Sequence, residues 1–144
     1  MSYKIIGQRP SGNKVLVDPS TIGGANVVIP NVPCLSSVYV GAAVIMNTGG
    51  TASNAIATSL ATSNVIGIVE FKPSLNQCNI RVIGVSLGIF VGLDVVKEYY
   101  LSDTIEGLIT TTIPTASGSI MLKLGQPFSA TEFLVTKGQS VVRL

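Results

Sequence analysis

Apolar residues in this chain recur in short runs dominated by Val and Ile, and the runs are separated by clusters of Gly, Pro, Asn and Ser. β-branched residues lose little on a pleated surface and pack well there, so runs of four to eight of them between turn residues read as strands. The pattern predicts strands over Lys14 to Val17, Asn26 to Ile29, Ser37 to Met46, Val65 to Phe71, Cys78 to Ile83, Leu87 to Val91, Glu98 to Leu101, Leu108 to Thr112, Ser119 to Leu124, Glu132 to Thr136 and Ser140 to Leu144. Gly49-Gly50 after Asn47-Thr48 supplies a hairpin turn. Near the C-terminus, Gly138 can take positive φ between two alternating runs, which predicts a terminal hairpin with Phe133 and Val135 on one face and Glu132, Leu134 and Thr136 on the other.

Fifteen glycines and seven prolines are scattered throughout and leave few stretches with a 3.6-residue apolar period. Helix is therefore a minor component. Its best candidate is Ser53 to Ser63, whose Ser and Thr content fits a loop between strands equally well. Many short strands at fairly even spacing imply an all-β fold, a β-sandwich or barrel-like architecture of jelly-roll or β-tulip type. Residues 1–36 carry Pro10, Pro19, Pro30 and Pro33 and read as an extended N-terminal segment, an arm or the first strands, ahead of a β-rich core domain over 37–144.

At 144 residues the chain suits one domain with a core of its own. Charged residues are only 11% of it, against about 25% in ordinary soluble domains. No charged side chain occurs between Asp18 and Glu70, and a stretch that long cannot be wholly interior in so small a protein. Part of its surface is expected to face other protein. The nine basic residues are spread singly from Lys4 to Arg143 with no cluster to track a phosphate backbone, so nucleic acid is not an expected partner. The longest apolar run, Val38 to Met46, is about half of the ~20 residues a spanning helix needs, and aromatics are too few for the girdles of a membrane barrel, so no membrane partner is expected. The start of the chain lacks the apolar core of a signal peptide, which makes the cytoplasm the default compartment at synthesis.

Catalytic chemistry finds little to work with. Histidine is absent, which removes His-dependent triads, His metal ligands and His proton transfer. Asp94, Glu98, Asp103 and Glu106 are the only concentration of carboxylates, and their spacing matches no EF-hand loop. They read as a solvated rim. Phosphate-cradling glycine motifs are missing. Cys34 and Cys78 are the only cysteines; within one chain two thiols without His cannot complete a tetrahedral zinc site, although a symmetric oligomer could pool them, and they read as partly buried reduced thiols. No catalytic, cofactor-binding or metal-binding residue is assigned, and the expectation is a non-enzyme. Tyr3, Tyr39, Tyr99 and Tyr100 are candidates for stacking on sugars, with packing as the simpler role.

The segment Tyr99-Tyr100-Leu101-Ser102-Asp103-Thr104-Ile105-Glu106-Gly107-Leu108-Ile109-Thr110-Thr111-Thr112-Ile113-Pro114, continued by Gly118 to Thr131 with its Leu124-Gly125 and Ser129-Ala130-Thr131 steps, resembles a segment that recurs in tailed-bacteriophage virion proteins. Val38-Tyr39-Val40-Gly41, and Ala52 to Ser63 running into Val65 to Val69, resemble the strand, loop and return strand of the same proteins. The resemblance spans roughly residues 36 to 144. It implies a small capsid decoration (cement) protein, a homotrimer on the virion surface that binds the major capsid protein between capsomers and stabilises the shell after assembly in the host cytoplasm. Head-fibre, tail-fibre and baseplate subunits share such motifs and form the alternative, with a receptor- or glycan-binding module as a third.

Overall fold

The structure, a computed structural model, describes residues 26–144. It is all-β: ten strands form one antiparallel sheet curled into a half-barrel, and no helix occurs among the described residues. The strands are β1 (Val27–Pro33), β2 (Ala43–Met46), β3 (Ala52–Asn54), β4 (Gly67–Ser74), β5 (Gln77–Val85), β6 (Tyr99–Leu101), β7 (Ile109–Thr110), β8 (Ile120–Pro127), β9 (Phe133–Val135) and β10 (Ser140–Val142). Their order is β3-β2-β4-β5-β9-β8-β6-β7, with β1 added to β5 and β10 to β8. The run Lys14 to Val17 lies outside the described residues.

One of the turns follows directly from sequence. Between β2 and β3 the Asn47 amide donates to Thr51 O at 3.0 Å and Gly50 adopts φ of 81°, so the Gly pair does close a hairpin. Leu75 and Asn76 join β4 to β5, with Ser74 opposite Gln77.

The C-terminal hairpin expected between Glu132 to Thr136 and Ser140 to Leu144 does not form. β9 and β10 do not pair with each other: both lie antiparallel to β8, Val135 opposite Gly125 and Ser140 opposite Leu122. They act as one strand broken by a bulge at residues 136–139, where the Thr136 and Gly138 amides still donate to Leu124 O and Lys123 O. The tight turn is the one before it, between β8 and β9, and Gly138 sits in the bulge. The expected facing does hold, with Phe133 and Val135 buried and Leu134 and Thr136 turned outward.

Two other expectations need correction, those for Ser37 to Met46 and Leu87 to Val91, and Ser53 to Ser63 takes the loop of its two alternatives. Of the run Ser37 to Met46 only Ala43–Met46 is strand, because Ser37 to Gly41 turns. Ser53 to Ser63 ends β3 and continues as turns. Leu87 to Val91 bends between Gly88 and Gly92, and its backbone bonds to the β8–β9 turn are isolated ones, Phe90 N to Thr131 O at 3.0 Å and Leu93 N to Ala130 O at 3.0 Å, so no ladder forms.

Two cores lie on opposite faces of the β2–β4–β5 half. On the concave side Ala43 and Ile68 face Leu101, Ile120, Leu122, Leu124, Phe133 and Val135 from the other half. On the convex side Val44, Val69, Cys78 and Ile80 are covered by a strap of chain over residues 32–42 that contributes Val32, Cys34, Val38 and Ala42. Strands with apolar residues on both faces explain why this stretch carries no charge. Lys72 Nζ pins the strap by donating to Val38 O at 2.7 Å, and Asn54 Nδ2 donates to Ser37 O at 3.1 Å. No helix of the described residues is long and apolar enough to cross a membrane.

Candidate functional site

Tyr39 and Tyr99, which the sequence marks as candidate ligand contacts, meet at one groove with Phe90 and Leu93. Its volume is about 330 Å³. Strand alternation sends Tyr99 inward, where it is 8% exposed and its ring meets Phe133 edge-on at 5.8 Å; Phe90 meets the same ring at 5.9 Å. The Tyr99 hydroxyl accepts the Asp94 amide at 3.0 Å, and the Tyr39 hydroxyl donates to Glu106 O at 3.0 Å. Burial pushes the Tyr39 phenol above its ordinary range, so it stays a neutral donor. Gly41, at φ of 96°, lets the Phe90 ring approach within 3.3 Å of where a Cβ would stand.

Tyr100, the next residue, faces the opposite side. Its hydroxyl donates to Glu98 Oε1 at 3.2 Å, while Lys123 Nζ donates to Glu98 Oε2 at 2.7 Å. The Lys123 hydrogen bond and charge, followed by the Tyr100 hydroxyl, hold the Glu98 carboxyl below its usual range. Desolvation, and then the hydrogen bond to Glu98, raise Tyr100. Tyr3 lies outside the described residues.

The four clustered carboxylates are not brought together. Asp94 sits 3.9 Å from Lys97, Glu98 binds Lys123, and Glu106 accepts the Tyr39 hydroxyl at its carbonyl. Asp103 stands between two shallow surface grooves of about 450 and 200 Å³ lined largely by Ser and Thr. Among the described residues no group of three or more His, Cys, Asp or Glu side chains could hold a metal ion. Cys34 and Cys78 are both buried, at 3% and 0% exposure, so they are more deeply enclosed than their sequence suggests and are not presented for sharing between copies.

What the sequence reading missed is the loop over residues 86–98 beside the aromatic groove. Val91 is 94% exposed and Val96 84%, with Val95 also exposed. The loop is nevertheless fixed. Ser86 N donates to Phe133 O at 2.8 Å, Ser86 Oγ accepts the Phe133 amide at 3.0 Å, and the Leu87 amide donates to Glu70 Oε1 at 3.3 Å. An ordered backbone thus holds bare valines in water. Exposure of this kind cannot be read from a pattern that treats every Val as interior; the flanking Gly88 and Gly92 were the available signal.

Comparison with protein-family models, with curated proteins and with solved structures finds no match to this chain.

Proposed function

We propose that the protein is a non-enzymatic structural subunit that docks onto a larger protein assembly through the 86–98 loop and the aromatic groove beside it. The observation that carries this reading is the pair Val91 and Val96, almost fully exposed on a backbone tied down at several points. A preordered apolar projection loses little conformational entropy on binding and gains its burial energy in full. The assembly is a tailed-phage capsid, where a trimer of this chain decorates the shell between capsomers of the major capsid protein; the resemblance of residues 36 to 144 to virion proteins supports that choice, with a head-fibre, tail-fibre or baseplate position as the alternative. Each copy would add its binding free energy to the lattice's resistance to disassembly. A glycan-binding role has less support, because Tyr99 is buried against Phe133 and the Tyr100 hydroxyl is bonded to Glu98.

The test is co-sedimentation with capsids stripped of the protein. Burying two valines contributes roughly 3 kcal/mol, so Val91→Asp/Val96→Asp should weaken binding by about 100-fold while leaving the melting midpoint unchanged. Binding that survives this double substitution would overturn the assigned surface, and no binding by the wild-type chain would overturn the capsid.

A further inference from the structure

Cys34 and Cys78, distant in sequence, are neighbours in the convex core. In the β1–β5 ladder Val32 stands opposite Cys78 and Pro33 opposite Gln77. One step further, the Cys34 amide donates to Asn76 O at 2.9 Å and Asn76 Nδ2 donates to Cys34 O at 3.3 Å. Cys34 is therefore the diagonal neighbour of Cys78 on the same face of the pair. Both belong to the small buried cluster that includes Val38, Val44, Val69 and Ile80.

We propose that Cys34 and Cys78 form an oxidation site, at which a low-molecular-weight disulfide such as glutathione disulfide converts the two thiols into an intramolecular bridge that staples the strap to β5. This inference is independent of the docking role. Burial, with the Cys34 thiol beside it, pushes Cys78 up to about 12, so Cys78 is protonated and inert in the closed core. Reaction waits for the strap to lift. Lifting would have to break the bridge from Cys34 to Ala52 as well as the β1–β5 pairing, whose register already breaks between Ile29 and Val32, where Asn31 takes φ of 54°. In the open state one cysteine loses its proton to water and attacks the small disulfide, forming a mixed disulfide and releasing one small thiol. On closure the second cysteine, deprotonated in turn, attacks the protein sulfur of that mixed disulfide and releases the second small thiol. Two electrons pass from the protein thiols to the oxidant, and one protein disulfide and two small thiols result.

Intact-mass analysis and peptide mapping after incubation with glutathione disulfide, with and without sub-denaturing urea, test this. The expected product lacks two hydrogen atoms, carries no glutathione, maps to Cys34–Cys78 and forms faster in urea. Closing a loop of about 45 residues should raise the thermal midpoint by about 10 °C, reversed by reduction. Cys78→Val, chosen to keep the core filled, should instead accumulate a glutathione adduct at Cys34 with no such rise. Stable adducts on both wild-type cysteines, a bridge between two chains, an oxidised form that melts no higher, or no oxidation even in urea would each overturn the proposal.

Discussion

Glu70 ends the charge-free stretch and is buried at 6% exposure with Arg81 at 11%. Its Oε1 accepts Arg81 Nε at 3.0 Å and the Leu87 amide at 3.3 Å, and its Oε2 accepts Arg81 Nη2 at 3.2 Å. One carboxylate thus joins β4, β5 and the root of the exposed loop. Glu70→Gln preserves the shape but turns an NH₂ toward Nη2, donor against donor, and leaves the guanidinium without its counter-charge. Removing one partner of a buried pair costs about 3–5 kcal/mol, and the one or two bonds Gln still accepts reduce this to about 2–4 kcal/mol. At about 3 °C per kcal/mol the midpoint should fall by roughly 6–12 °C. In Glu70→Met/Arg81→Met no charge remains buried, so the double variant should lie within about 2 kcal/mol of wild type, the lost Leu87 bond included. Equilibrium urea unfolding of wild type, Glu70→Met, Arg81→Met and the double variant measures the coupling, and high salt should change it little because the pair is shielded from water. Singles costing under about 1 kcal/mol, or a double costing the sum of its singles, would refute the argument that the pair acts as a desolvated unit.

Two further outcomes are specific. Gly125 takes φ of 150° and a Cβ there would overlap the Leu134 carbonyl oxygen, so Gly125→Ala should cost about 2 kcal/mol or more in urea unfolding, whereas Gly49→Ala, with open space around it, should cost under about 0.5 kcal/mol; equal effects would sink the account. Since Lys123 lowers the folded Glu98 value below the unfolded one, the stabilisation is complete above the unfolded value and is lost as pH falls through the folded value. NMR titration should therefore show the Glu98 midpoint rising in Lys123→Met and rising less in Tyr100→Phe; the reverse order would contradict the ranking of causes.

The all-β class was legible because short β-branched runs and the Gly, Pro, Asn and Ser between them are local signals: Val65 to Phe71, Cys78 to Ile83 and Ser119 to Leu124 fall on β4, β5 and β8. Pairing is not local. Nothing between Thr131 and Leu144 says that both halves of that segment run along β8 instead of against each other, since either arrangement buries Phe133 and Val135. The Glu70–Arg81 bond, the Cys34–Cys78 contact and the exposure of Val91 likewise depend on which strands become neighbours. The carboxylates near Asp94 to Glu106 were close in sequence and are apart in space, because each strand and turn between them reverses the direction of the next side chain.

The sheet order gives β9 a part in folding beyond its three residues. Among the described residues the path from β5 to β8 runs through β9 alone. During synthesis β2, β4 and β5 leave the ribosome ahead of the opposite wall with Ala43 and Ile68 facing water; the bonds of Ala43, Ala55 and Ala57 to Gly107, Ser102 and Ile120 tie one side of that wall to them, and the β5–β9 ladder closes the other side once Phe133 to Val135 has emerged. Closure therefore rests on long-range pairing, which is intrinsically slow, and the nascent chain carries an open apolar trough for that interval. Slower translation would lengthen this exposure, so yield of soluble protein depends on the delay before the last strands arrive.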